Sequence, residues 1–318
     1  MARNPIQFQD GLSLSDFVKR FGTEAQCEAA LTAWRWPNGF VCPRCASTGF
    51  AIAGRRRLYE CHDCLRQTSL KSGTIFAKSL VPLTKWFQCM WLLTPSKGSV
   101  ATLQLARQLD LKWDSAWLMR QKLMQVMMER EAGRKLSGRI EVDDALLGGR
   151  QGVTGGGKQG RGGSNKIPFV PAVETRDGRP QRVQFLPVAT HSQVEIARIA
   201  KAHFEPGSTI VSDGLSCFPA VVTAGCIHEQ RIASHAPLPA QKMPAFRWVN
   251  TVPGNLKTAI ADAFKALRRK YVPRDLAGFQ YRFNRRNRLP EMLVRLAYVA
   301  VSTSPRPYSL IKCPDVPG

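Results

Sequence analysis

The chain opens on a helical rhythm. In residues 13–36, Phe17, Phe21, Cys27, Leu31 and Trp34 recur at helix-like intervals, with a break at Gly22. "PNGF" then turns the chain into a strand-like, cysteine-bearing section that runs to about residue 80. Residues 82–94 read as a buried helix. Two more helices are expected over roughly 99–109 and 115–130, joined at "DLKWD", with Asp114 or Ser115 as cap. The pair has the outline of a helix-turn-helix, although plain packing gives the same outline more often; Met119, Met124 and Met127 are expected in the core. After the polar stretch "EAGRKLSGR" the period becomes that of strands. Over 139–148, Ile140 and Val142 face one side and Glu141 and Asp143 the other, so Asp144 should point away from Asp143. Strands follow at 166–175 and 181–190 around a turn at "RDGRP". An amphipathic helix is expected at 191–204, strands at 208–214 and 225–232, and helices at 255–267 and 276–302.

Three strands, a helix, then a strand is the order of an RNase H-like core. The fold class is therefore read as α/β, a mixed sheet flanked by helices, preceded by a cysteine-bearing ribbon and a helical segment. In such a core the central strand and its neighbour each present a carboxylate at the same end of the sheet. Asp143 and Asp213, seventy residues apart, take those places. Acids in an apolar setting are costly unless paired or metal-bound. Two carboxylates at one sheet end can hold a divalent cation for phosphoryl chemistry. Capping of strand ends is the alternative, and spacing alone weighs the two evenly. Glu141, on the Asp143 face, is a candidate supporting group.

"CPRC" supplies Cys42 and Cys45, and "CHDC" supplies Cys61 and Cys64, with fifteen residues between the pairs. Two such knuckles bring four thiolates to one tetrahedral ion, so a structural Zn2+ is expected. So small a ribbon buries little core, and the metal would supply its folding energy. His62 is a bystander, because four cysteines complete the shell. Arg55, Arg56 and Arg57 lie on the ribbon and argue against a purely structural role. Cys27, Cys89, Cys217, Cys226 and Cys313 have no partner spacing and read as free thiols.

Charge narrows the class of partner. Lys and Arg outnumber Asp and Glu 46 to 23, with an isoelectric point near 10.2. That excess favours a polyanion, nucleic acid above all, over a merely basic protein or one bound to a membrane surface. There is no run of eighteen apolar residues and no signal-peptide core at the start, so a cytoplasmic protein with reduced thiols is expected. The basic, glycine-rich stretch over 148–166 is expected to be a mobile hairpin tip near DNA.

The pieces "RWPNGFVCPRC", "YECHDCLRQTSLKSGTIF", "EVDDALLGG", "NKIPFVPAVE", "IVSDGLSCF", "WVNTVPGNLKTAI" and "YRFNRRNRL" stand in order from about residue 12 to 290. On these the chain resembles the bacterial insertion-sequence DDE-type transposases with an N-terminal zinc ribbon, in the branch whose signature is D-D-N-K. The resemblance implies an RNase H-like catalytic domain that uses Mg2+ or Mn2+. It implies partners in duplex DNA, both the terminal inverted repeats and the target, and a homo-oligomer in a synaptic complex. It makes Asp143, Asp213, Asn250 and Lys257 the four signature residues, and Cys42, Cys45, Cys61 and Cys64 the zinc ligands.

The expected organisation is a helical segment at 1–38, a zinc ribbon at 39–80, a helix-turn-helix-like segment at 81–132, the catalytic domain at 138–304 and a tail at 305–318. Two departures stand out. Pro253 replaces a residue that is not proline in many relatives, and the segment after Lys257 lacks the stretch expected there. The alternative is a non-catalytic zinc-ribbon and helix-turn-helix DNA-binding protein, such as a decayed transposase; a structural RNA-binding protein is a third reading.

No acid occupies Trp248–Lys257, where a third metal ligand would be expected. Glu229 follows Asp213 too closely, and Asp262 lies about 120° around a helix from Asn250. Asn250 and Lys257 lie within about 20° of one helical face. They read as a neutral ligand oxygen and a positive charge near phosphate, against helix cap and surface lysine. Pro253 disfavours helical geometry at Val252, which points to Asn250 lying just before the helix.

Overall fold

The computed structural model describes residues 8–148, 166–231, 244–263 and 268–312. The centre of the basic glycine-rich stretch and Cys313 lie outside them. The described residues form two units. One takes in residues 8–96, 100–130 and 285–312; the other takes in 97–99 and 131–284.

The first unit begins with α1 (Leu14–Phe21) and α2 (Glu24–Arg35), parted at Gly22. Ser13 caps α1, and Thr23 with Gln26 forms a capping box on α2. The ribbon follows as β1 (Phe50–Ala53), β2 (Leu58–Cys61) and β3 (Gln67–Thr68), an antiparallel sheet in that order. Its core is small: Phe40, Cys42 and Cys61 are buried, with Trp36 and Tyr59 against them. Arg35 donates to the carbonyls of Ser69, Leu70 and Ser72, fixing the chain beyond β3. Next come α3 (Leu83–Leu93), α4 (Thr102–Gln108) and α5 (Trp113–Ala132), with Met119, Met124 and Met127 buried.

The second unit is a sheet covered on both faces. It contains β4 (Arg139–Val142), β5 (Ala145–Leu147), β6 (Ile167–Arg176), β7 (Arg179–Pro187), α6 (Gln193–His203), β8 (Thr209–Ser212), β9 (Ile227–Gln230), α7 (Arg247–Ala263) and α8 (Val272–Phe283). Strand β4 is central, antiparallel to β6 and parallel to β8, which is parallel to β9; β7 pairs with the far side of β6. This is the RNase H-like order expected. Asp177 and Gly178, both with positive φ, make the tight β6–β7 turn. Phe169, Val173 and Val211 face a core built with Val252, Leu256 and Leu276 of α7 and α8. Their neighbours Val170, Ala172 and Ile210 face the opposite core, with Ile196 and Ile199 of α6.

Two helices differ from expectation. Helix α7 begins at Arg247, well before residue 255, and holds Pro253 inside it, so Asn250 lies on the helix. The run over 276–302 is not one helix. It ends as α8 at Phe283, and after a turn over 284–288 a 3-10 turn, Leu289–Glu291, leads into α9 (Met292–Ser302), with Pro290 in the first-turn position where its missing N–H costs nothing. Helix α9 packs on α2 and α3, and so groups with the N-terminal helices instead of with the sheet, as does α10 (Tyr308–Lys312).

Candidate metal centres

The ribbon's two knuckles are built alike. Ala46 donates to the Cys42 carbonyl and Leu65 to that of Cys61, and both take the positive φ that curls the chain round its sulfurs. The Cys42 and Cys64 sulfurs lie 3.5 Å apart, as do those of Cys45 and Cys61. All four lie within 4.8 Å of one another. Tetrahedral bonds of about 2.3 Å require sulfurs just under 4 Å apart, so a zinc ion fits the donor set. Burial raises the Cys42 thiol, but the N–H groups of Arg44 and Cys45 together with the Cys64 and Cys45 sulfurs bring it down to about 6. Cys45 is lowered by the Ser47 N–H, yet the Cys64 sulfur, burial and the Cys61 and Cys42 sulfurs push it up to about 12. Thiols this close do not all ionise without a cation between them. His62 is not one of the group.

The second centre is assembled from distant strands. Parallel pairing sets Arg139 beside Thr209 and Glu141 beside Val211. Continued two residues, that register brings Asp143 level with Asp213. Their carboxylate oxygens lie within 4.8 Å of each other, and of Asp144. The expectation for Asp144 therefore fails, for a local reason. Val142 pairs with Ala172 and Ala145 with Phe169, so β4 and β5 are one strand in one register, with a lapse at Asp143–Asp144. There the Asp143 side chain accepts the Asp144 N–H at 2.9 Å, and strict alternation is lost. Asp213 accepts the Leu215 N–H at 3.1 Å, which orients it at the end of β8. Beneath them, burial pushes the Cys217 thiol up, and Asp144 and Asp213 add to the effect. Three carboxylates at one strand end suit a hard divalent cation.

Asn250 and Lys257 stand on α7. Asn250 is half-buried, and its Nδ2 donates to the Phe246 carbonyl at 2.8 Å; Lys257 is exposed. Glu141 is the supporting residue whose partners the sequence hides. It is buried, one oxygen accepting from Arg139 at 2.8 Å and the other from the N–H groups of Trp248 and Val249 at 2.9 and 3.0 Å.

Two family models match. The transposase zinc-ribbon domain covers residues 22–67, and the ISXO2-like transposase domain covers residues 135–284. The chain belongs to the insertion-sequence DDE-type transposases with an N-terminal zinc ribbon. The transposase domain holds the carboxylate cluster, and the zinc-ribbon domain holds the cysteines. An uncharacterized protein in transposable element ISH50 of Halobacterium salinarum is 28% identical over 131 residues, 40% of this chain and 43% of that protein. The chain thus spans less than half the length of that relative. A pre-cleavage Mos1 transpososome structure aligns over 63% of this chain and 74% of that one, at 10% identity and a TM-score of 0.22, a likeness too slight to bear on fold or function. Among the described residues no helix is long and apolar enough to cross a membrane.

Proposed function

We propose that the protein is an active transposase of an insertion sequence. It binds the element's terminal inverted repeats, cuts a DNA strand there with a divalent metal, and joins the freed 3′-hydroxyl to target DNA. The observation that carries this reading is the meeting of Asp143, Asp144 and Asp213 at one end of the sheet in a transposase domain.

Asp143 and Asp213 would hold Mg2+ or Mn2+, with Asp144 adding negative charge that the neutral Asn250 does not bring. Such a cation supplies an acidified water and offsets charge on the leaving oxygen. In the first step a water oxygen bonds to phosphorus as the P–O3′ bond breaks, leaving a 3′-hydroxyl and a 5′-phosphate. In the second, that hydroxyl's oxygen bonds to a target phosphorus as the target's own P–O3′ bond breaks, and the proton passes to the freed target 3′-oxygen. The Asn250 amide is held by Phe246, which leaves Oδ1 as its ligating atom. Lys257, seven residues on, adds positive charge near a phosphate. Copies of the chain on the two element ends would form the synaptic complex in the cytoplasm.

The test reads the DNA flanking the gene for short inverted repeats and uses duplexes that carry them. Asp143→Ala and Asp213→Ala should abolish cleavage with Mg2+ or Mn2+ and keep repeat binding. Equal cutting by either variant would remove the site assignment. An unmutated protein that binds but never cuts would replace this reading with a non-catalytic DNA-binding one, and a preference for RNA over duplex DNA would replace both.

A further inference from the structure

We propose that Glu141 is a positioning residue that locks the helix bearing Asn250 and Lys257 to the strand bearing Asp143. The catalytic part of this inference rests on the function proposed above; the lock itself does not. Helices α1, α2 and α6 are capped by the side chains of Ser13, Thr23 and Ser192, each immediately before its helix. In α7 a carboxylate more than a hundred residues away in sequence takes the N–H groups of Trp248 and Val249. Glu141 is only 1% exposed. Burying a carboxylate is expensive compared with using a local serine cap, so stability alone is a poor reason for it. Position is a better one.

Strand β4 is held on both sides, by β6 and by β8, so it is a fixed reference. Two residues beyond Glu141 stands Asp143; one residue beyond Val249 stands Asn250. Arg139 completes the lock. It donates to Glu141, to Thr175 at 3.1 Å and, with its other nitrogen, to the Ala245 carbonyl at 3.2 Å, just ahead of α7. The start of the helix is thus gripped through an N–H pair and a carbonyl, both by side chains of one strand. The positive end of the helix dipole strengthens the carboxylate's hold.

Residue-resolved amide exchange on the full chain provides the test. The first amides of a helix lack intrahelical partners and normally exchange fast. In the unmutated protein Trp248 and Val249 should exchange as slowly as the body of α7; fast exchange there overturns the lock without any variant. Glu141→Gln, which keeps the volume, should speed both amides by about tenfold or more and leave β6 and β7 protected. Mn2+ binding, read by paramagnetic relaxation, should stay within about twofold, because Asp143 and Asp213 are untouched.

Single-turnover cleavage should fall by about a hundredfold with repeat binding kept. Adding Glu141→Gln to the pair Asn250→Ala and Lys257→Ala should slow cleavage no further, since Glu141 acts through those two residues. Additive losses, or unchanged cleavage with fast exchange, would overturn the positioning role. If the unmutated protein cuts nothing, the transposase reading fails, and exchange alone decides the lock.

Discussion

The ribbon and the sheet each gather a cluster of metal-binding side chains, by opposite means. In the ribbon the cluster makes the fold. Four sulfurs from two short knuckles meet over a core of little more than Phe40, Trp36 and Tyr59. In the sheet the fold makes the cluster. Two extensive apolar layers fix β4 and β8, and three carboxylates are left facing one another at their ends. A site that holds its scaffold together stabilises the protein. A site that the scaffold forces together stores charge repulsion until a cation relieves it.

The largest expected effect breaks the ribbon. Metal binding by such a site supplies about 10–16 kcal/mol of apparent free energy. A strong chelator, or Cys61→Ser, should therefore unfold residues 39–80 and abolish repeat binding, while exchange protection in β6 persists. Loss of the sheet's protection as well would mean the two regions do not differ as argued.

Next comes Asp213→Asn. Cleavage should drop by about a thousandfold or more, equivalent to about 4 kcal/mol of barrier. The melting temperature without added Mg2+ or Mn2+ should hold or rise, because one like charge has gone. A lower melting temperature would show that the carboxylates are structural after all. Asp144→Asn is a finer probe. It should weaken Mn2+ binding by about tenfold and leave the strand register intact; unchanged Mn2+ binding would exclude Asp144 from the centre.

The smallest effect is one of pH. Burial lowers the pKa of both His203 and His228, with Arg198 and Lys135 adding to the effect at His203. The folded state therefore prefers the neutral rings. Their contribution is complete above the unfolded value of 6.5 and is lost as pH falls through the lower folded values. Denaturant midpoints should decline from about pH 7 to about pH 5, and His203→Gln should flatten that slope. An equal slope in the variant would assign the decline to other groups.

The same contrast governs what could be read from the chain. The cysteine pairs announce themselves because their geometry is local: two residues between sulfurs fix a knuckle. The strand order was legible from alternation, and with it the pairing of Asp143 with Asp213. Alternation failed at Asp144, whose N–H is taken by the neighbouring Asp143 side chain. It was also silent on the start of α7. Pro253 suggests a boundary, but the helix begins earlier because Glu141, remote in sequence, satisfies its first N–H groups. The break over 284–288 was missed for a related reason. Apolar periodicity resumes in α9, but that helix packs on α2 and α3, and nothing in the period says which partner it will choose.

The segment "YRFNRRNRL" has a consequence of its own. Asn284 accepts the Val183 N–H and donates to the Val183 carbonyl, and Gln280 accepts the N–H of Phe185. Two amide side chains thus act toward β7 as a further strand would, where a sheet margin is otherwise an invitation to another chain. A second copy of the chain meeting β7 edge-on would find the Val183 and Phe185 N–H groups and the Val183 carbonyl already taken.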